Sequence, residues 1–184
     1  MSPKKWETGE PQERGQFRIF RVKEVQGTSP RTGEELSFYL LECNDWVNVI
    51  AFTEGGEVVM IRQYRFGTQQ VELEIPGGII EEGETPEEAA VRELEEETGY
   101  NGGKISYLGS VSPNPAFHTN HCHTVVIQGV KPEGEQALDP GEDLEVELMP
   151  LADIPRLIAD GTVRHSLVMA AFQLLGLAVD ASEE

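Results

Sequence analysis

The chain has 184 residues, enough to bury one core without staples, and its two cysteines, Cys43 and Cys122, are too few and too far apart for a disulfide framework. It carries 14 Lys and Arg against 33 Asp and Glu, a formal net charge of −19, which argues against nonspecific nucleic-acid or anionic-membrane binding because both need basic patches. The opening MSPKKWETGEPQERG lacks a signal-peptide core and no run nears the roughly 18 apolar residues of a spanning helix, so a reducing, cytoplasmic location is the default expectation.

Residues 1–15 read as a flexible tail, polar and broken by Pro3, Pro11 and Gly15. Residues 17–25 alternate as a strand, 27–33 (GTSPRTG) read as a turn, and 36–43 return as the partner strand, predicting an N-terminal antiparallel hairpin. Residues 46–52 and 57–64 form a second pair around Glu54-Gly55-Gly56, and 70–75 lead into Ile75-Pro76-Gly77-Gly78. Arg62-Gln63-Tyr64-Arg65 ends one of these strands beside a loop, where two guanidinium groups suit bidentate contacts to phosphate oxygens; a surface ion pair is the competing reading for Arg62.

Residues 77–100, GGIIEEGETPEEAAVRELEEETGY, organise the chain. Thr85 is a good N-cap, Pro86 suits the first helical position, Glu88 completes a capping box and Gly99 sits where helices end, predicting a helix over 86–98. At about 100° per residue, Ala90, Val91 and Leu94 form an apolar face while Glu93, Glu96 and Glu97 point elsewhere, with Glu93 and Glu97 one turn apart. From Glu81 to Glu97 there are nine Glu and one basic residue, Arg92. Like charges at helical spacing cost about 0.2–0.5 kcal/mol per pair, so something outside the helix must offset the repulsion. A solvated acidic face is the bland reading; the alternative is a hard divalent cation, which takes oxygen ligands while keeping waters and substrate phosphates. Gly77 and Gly78 leave backbone carbonyls and amides open near the same place.

Residues 104–111 read as a strand, 112–120 (SPNPAFHTN) as a loop and 122–129 as a buried strand. His118, His121, Cys122 and His123 raise a zinc reading, but alternation puts Cys122 on the opposite face from His121 and His123, which favours histidines that cover the loop or sheet surface. Residues 139–147 (DPGEDLEVE) are a second acidic patch running from a loop into a strand. Two helices close the chain, around 154–159 and over 166–177, the second with Leu167, Ala170, Ala171, Leu174 and Leu175 at core-packing spacing; 180–184 read as a frayed tail.

Gly78, Glu84, Arg92-Glu93-Leu94, Glu96-Glu97 and Gly99-Tyr100 stand at the spacing of the Nudix box, GX5EX7REUXEEXGU, and the chain resembles that family. Tyr100 departs mildly, being aromatic where an aliphatic residue is usual. The resemblance implies an α/β/α sandwich with a mixed sheet and metal-dependent hydrolysis, with Mg²⁺ or Mn²⁺, of a nucleoside diphosphate linked to another moiety. Carried over by position, Glu93 and Glu97 are the principal metal ligands, Glu96 a third or water-mediated one, and the Gly77 carbonyl a backbone ligand. Arg92 orients those carboxylates and Glu84 braces the loop.

The early hairpin resembles the extra N-terminal sheet of the ADP-ribose pyrophosphatase and nucleoside diphosphate sugar hydrolase branch. That implies residues 1–45 as a tail and hairpin making a homodimer contact, and 46–184 as the catalytic domain. Trp6, Phe17, Phe20, Tyr39 and Trp46 are candidates to stack on the base, though for each a plain core or surface role competes. The same branch suggests Arg65 and Glu74, with Arg62, as substrate contacts and Pro113 and Pro115 near the sugar end. Glu142 matches the further metal ligand or general base, with Glu145 in reserve; Pro140 stands where some relatives place another glutamate. The expected substrates are ADP-ribose and GDP-mannose-like compounds, with NADH, dinucleoside polyphosphates or nucleoside triphosphates as alternatives. A noncatalytic ADP-ribose-sensing module is a further alternative, which the intact box disfavours.

Overall fold

Val47, Val49, Ile50 and Ala51, then Val58, Val59, Met60 and Ile61, then Val125, Val126 and Ile127 are all buried. Strands that are apolar on both faces require a layer on each side. The computed structural model describes residues 2–180 and resolves them into two units, one running to Asn44 and including Ser112–His121, the other comprising Asp45–Val111 and the chain from Cys122 onward.

The first unit is an antiparallel sheet of β1 (Glu7–Thr8), β2 (Gln12–Gln16), β3 (Arg21–Thr28) and β4 (Glu35–Glu42). β4 pairs with β3 along its length, from Arg21↔Glu42 to Thr28↔Glu35, while β1 and β2 share the other edge. The 29–34 turn is closed by Ser29 N–H donating to the Glu34 carbonyl and Gly33 N–H to that of Ser29, both at 2.8 Å, with Gly33 at φ +76°. Two expectations are corrected here. Strand β3 begins at Arg21 rather than residue 17, because Phe17 N–H donates to the Phe20 carbonyl and folds that segment into a bend. Much of the expected flexible tail is β1 and β2, whose polar residues show no alternation and are ordered by the backbone edge that β3 offers.

The second unit holds β5 (Trp46–Thr53), β6 (Glu57–Arg65), β7 (Gln70–Glu74), β8 (Gly77–Ile79), α1 (Pro86–Thr98), β9 (Tyr100–Asn101), β10 (Lys104–Val111), β11 (Cys122–Pro132), β12 (Leu144–Pro150), a 3₁₀ turn at Leu151–Asp153, α2 (Ile154–Ala159) and α3 (Ser166–Asp180). Its sheet runs β10-β11-β5-β6-β12, with β11 parallel to β5 and the remaining pairs antiparallel. The β5–β6 hairpin is in register at Phe52↔Val58; farther along, β6 takes β7 and β5 takes β8.

Alternation sorts the buried side chains into two layers. Val47, Val49, Ala51, Val59, Val125 and Ile127 pack against Ala89, Ala90 and Leu94 of α1. Ile50, Val58, Met60, Leu73 and Val126 pack against Ile154 and Leu157 of α2 and Val168 and Ala171 of α3. The unit is therefore a mixed sheet between helices, the α/β/α arrangement expected. Helix α3 continues to Asp180, past the expected end at 177, and the rest of the expected tail, 181–184, lies outside the described residues. Among the described residues no helix is long and apolar enough to cross a membrane.

Candidate active site

Helix α1 forms where its local signals place it. Thr85 Oγ1 accepts from Glu88 N–H at 3.2 Å, the Glu88 carboxylate accepts from Thr85 N–H at 2.9 Å, and Gly99, at φ +71°, donates to the Glu95 carbonyl at 2.8 Å. The apolar stripe faces the sheet, which leaves Glu93 and Glu97 aimed at the loop ahead of the helix. Both are buried, at 9% and 3% exposure.

Glycine is required in that loop because there is no room for a side chain. A Cβ on Gly77 would overlap the Val47 carbonyl, and one on Gly78 would overlap the Glu93 carboxylate. The close approach lets Gly77 N–H donate to Glu97 Oε2 at 2.9 Å.

Arg92 ties the cluster together. Its Nε and Nη2 grip both oxygens of Glu84 at 2.9 Å, Nη1 reaches Glu93 at 2.8 Å and Glu96 at 3.2 Å, and Nη2 donates to the Ile79 carbonyl at 3.0 Å. Glu84 also accepts from Glu81 N–H at 3.0 Å, so it braces the loop as well as the arginine. The Arg92 guanidinium holds the Glu84 carboxyl below its ordinary range. Glu93 behaves in the opposite way: burial raises its pKa more than Arg92 lowers it. Burial pushes Glu97 up to about 8 against the stabilising Gly77 amide, and the charges of Glu93 and Glu142 add to the rise.

Burial of this kind favours the protonated form of both carboxylates unless further positive charge stands beside them. An all-oxygen donor set of this kind fits a hard cation such as Mg²⁺ or Mn²⁺. Among the described residues no three acidic, histidine or cysteine side chains converge as a ready-made cage.

Glu142 sits in a turn ahead of β12, where its carboxylate accepts from Asp139 N–H at 3.0 Å and its charge acts on Glu93, Glu97 and Arg65. Glu145 pairs in register with Arg62 on the face of β6 that carries Met60, away from α1. Arg62 lies on that same face and bonds Glu147 at 2.7 Å, so the structure does not bring it into the cluster. Arg65, three residues on, faces the opposite way and clamps Glu74 through Nε at 2.9 Å and Nη2 at 2.8 Å.

A cleft of about 650 Å³ opens beside this pair, lined in part by Trp46, Arg65, Glu74, Gly77 and Gly78, a size ordinary for a small-molecule site. Of the aromatic candidates Trp46 lines the cleft, while Trp6, Phe17, Phe20 and Tyr39 belong to the first unit, as do Pro113 and Pro115. His123 bonds the Tyr107 hydroxyl at 3.0 Å and Asp45 at 3.2 Å, so both its ring nitrogens have partners within the chain.

Sequence reasoning missed Arg164. It reaches the cleft from the segment ahead of α3 and bonds Glu72 through Nε at 2.7 Å and Nη2 at 3.0 Å. An isolated arginine before an apolar helix gave no signal of this, because its partner lies 92 residues away.

A family model described as the NUDIX domain matches residues 44–172. The chain is 34% identical over 132 residues to the ADP-ribose pyrophosphatase of Bacillus subtilis (strain 168), covering 71% of each protein. It is 36% identical over 132 residues to the methanol dehydrogenase activator of Bacillus methanolicus, again covering 71% of each. Among solved structures, the crystal structure of an ADP compounds hydrolase superposes with a TM-score of 0.85 at 26% identity, over 99% of this chain and 98% of that one.

Proposed function

Because the chain belongs to the Nudix family, we propose that it is a metal-dependent pyrophosphohydrolase that splits ADP-ribose and related nucleoside diphosphate sugars into a nucleoside monophosphate and a sugar phosphate. The observation that carries this reading is the juxtaposition of the Glu93–Glu97–Arg92 cluster with the cleft that holds Arg65, Glu74 and the Gly77–Gly78 backbone. Similarity to enzymes named for ADP-ribose and ADP compounds supports the substrate class.

A divalent cation held by Glu93, Glu97 and Glu96, with the Gly77 carbonyl, would neutralise phosphoryl oxygens and act as a Lewis acid. The chain's own residues do the rest. Arg92 holds the Glu93 and Glu96 carboxylates in place. Arg65, fixed from behind by Glu74, offers a cation to the diphosphate. To Glu142, whose charge acts on both buried glutamates and on Arg65, we assign the proton of the attacking water, taken as the new P–O bond forms in line with the bridging oxygen that leaves.

We extend the reading to a homodimer in a reducing compartment. The first unit leaves Phe17, Ile19, Leu36, Phe38 and Tyr39 between 41% and 61% exposed, which supports a second copy as partner. Free thiols at Cys43 and Cys122 support the compartment.

The test is a hydrolysis screen of ADP-ribose, GDP-mannose, UDP-glucose, NADH and nucleoside triphosphates with Mg²⁺ or Mn²⁺, with products identified. Preferential, chelator-sensitive release of monophosphate and sugar phosphate is expected. Preferred cleavage of NADH or a triphosphate would reassign the substrate, and binding of ADP-ribose without cleavage would make the protein a sensor.

A further inference from the structure

Arg65 and Arg164 are held in the same way. Each spends Nε and Nη2 on the two oxygens of one glutamate, Glu74 and Glu72 respectively. In each pair the arginine side chain is 42% exposed and the glutamate 3%. Among the described residues neither Nη1 has a hydrogen-bond partner within the chain. Glu72 and Glu74 are two apart on β7, so they share a face at a separation of about 7 Å along the strand. Both arginines line the same cleft.

The consequence is a comb of two forward-facing guanidinium ends, each backed by a carboxylate that is taken out of solvent. In a chain of net charge −19 this geometry matters, because the negative member of each pair lies behind its cation. The Glu72 side is further tightened by the Thr68 hydroxyl, which donates to Glu72 Oε1 at 2.7 Å, and by a short contact from Arg164 Nη2 to Gln70. Helix α3 begins two residues beyond Arg164, and Ser166 and Leu167 also line the cleft, so the partial positive charge of a 15-residue helix lies on the same side.

We propose that Arg164 is a second diphosphate-binding residue: Arg65 and Arg164 each hold the oxygens of a different phosphoryl group of the substrate. This rests on the nucleoside diphosphate sugar reading and assigns that site a contact outside the Nudix box. After cleavage the two phosphoryl groups part company, one leaving on the nucleoside monophosphate and the other on the sugar phosphate. The two arginines therefore govern different products.

Calorimetric titration of AMP and of ribose 5-phosphate, with Mg²⁺ present, tests this without requiring turnover. The proteins compared are the wild type, Arg65→Gln, Arg164→Gln and the double variant Glu72→Gln with Arg164→Gln, which leaves no unpaired buried charge should the single change fail to fold. Arg164→Gln and the double variant are expected to weaken one product about tenfold or more while the other stays within about twofold, and Arg65→Gln should weaken the opposite product. The assignment is overturned if Arg164→Gln and the double variant leave both products unchanged or weaken both alike, if both arginines govern the same product, or if the wild type binds neither. Hydrolysis of ADP-ribose by the wild type is scored separately, so a failed substrate class is not confused with a failed role for Arg164.

Discussion

Glu97 combines two demands that pull against each other, burial at 3% exposure and the metal-binding service proposed for its carboxylate. Because burial lifts its pKa to about 8 from an ordinary 4.5, the folded metal-free protein binds a proton there that the unfolded chain releases. Its ionisation therefore subtracts stability progressively between those two values, and fully above about pH 8. Glu97→Gln keeps an acceptor for the Gly77 amide and removes the charge. It should lower kcat by about 10²-fold or more, while the metal-free variant melts no lower than the wild type above pH 8. Near-normal turnover would remove Glu97 from the ligand set. Glu72 has the reverse sign. Arg164 first, and then Thr68, hold its carboxyl below 4.5 in spite of burial, so its contribution is fully present above that value and is lost as pH falls through the folded pKa. In Glu72→Gln, the fall in Tm on acidification below about pH 4.5 should be shallower than in the wild type; parallel curves would show that the pair adds nothing to acid stability.

At the scale of elements, α1 and its preceding loop act as one device, and Gly77 and Gly78 separate its two jobs. A methyl group at Gly77 meets backbone, the Val47 carbonyl, which can yield only if β5 and β8 shift. At Gly78 it meets side chain, the carboxylate end of Glu93. Gly77→Ala should therefore cost about 1–3 kcal/mol of stability, read from denaturant melts, whereas Gly78→Ala should fold with a smaller loss and forfeit activity through displacement of Glu93. Equal stability losses in the two variants would contradict this division. The same device shows why so much of the site was readable in sequence. Thr85, Glu88 and Gly99 fix α1 through contacts within a few residues, and Arg92 finds Glu84, Glu93 and Glu96 along one short stretch. The parity of β6 was less visible: Arg62 and Arg65 were both candidates for substrate contact, with an ion pair weighed for Arg62, and an odd spacing sends one toward Glu147 and the other toward Glu74. β1 and β2 carry no apolar period at all, so their order comes from the edge they complete.

At the scale of the whole molecule, the proposed dimer is tested at the exposed apolar residues of the N-terminal sheet. Ile19 at 61% and Tyr39 at 58% exposure support little packing within their own chain, so their replacement tests an interface rather than a fold. Sedimentation at micromolar concentration should give twice the chain mass, and the combined change Ile19→Glu and Tyr39→Glu should give the monomer with its melting behaviour retained. A wild-type monomer would refute the dimer. Arg164 marks the limit of sequence reading at this scale, since 92 residues separate it from Glu72 and tertiary packing alone brings them together.

Strand β7 has a final consequence for how the protein tolerates change in length. Its glutamates line the cleft while Leu73 between them packs against the layer of α2 and α3, so which β7 residues meet the ligand is decided by odd and even position. A single residue added in the 66–69 turn, if taken up as a slip of the strand, would drive the two carboxylates into oil and turn Leu73 toward the ligand. An insertion of two preserves the parity, so loops of even length difference are the ones this architecture can absorb there.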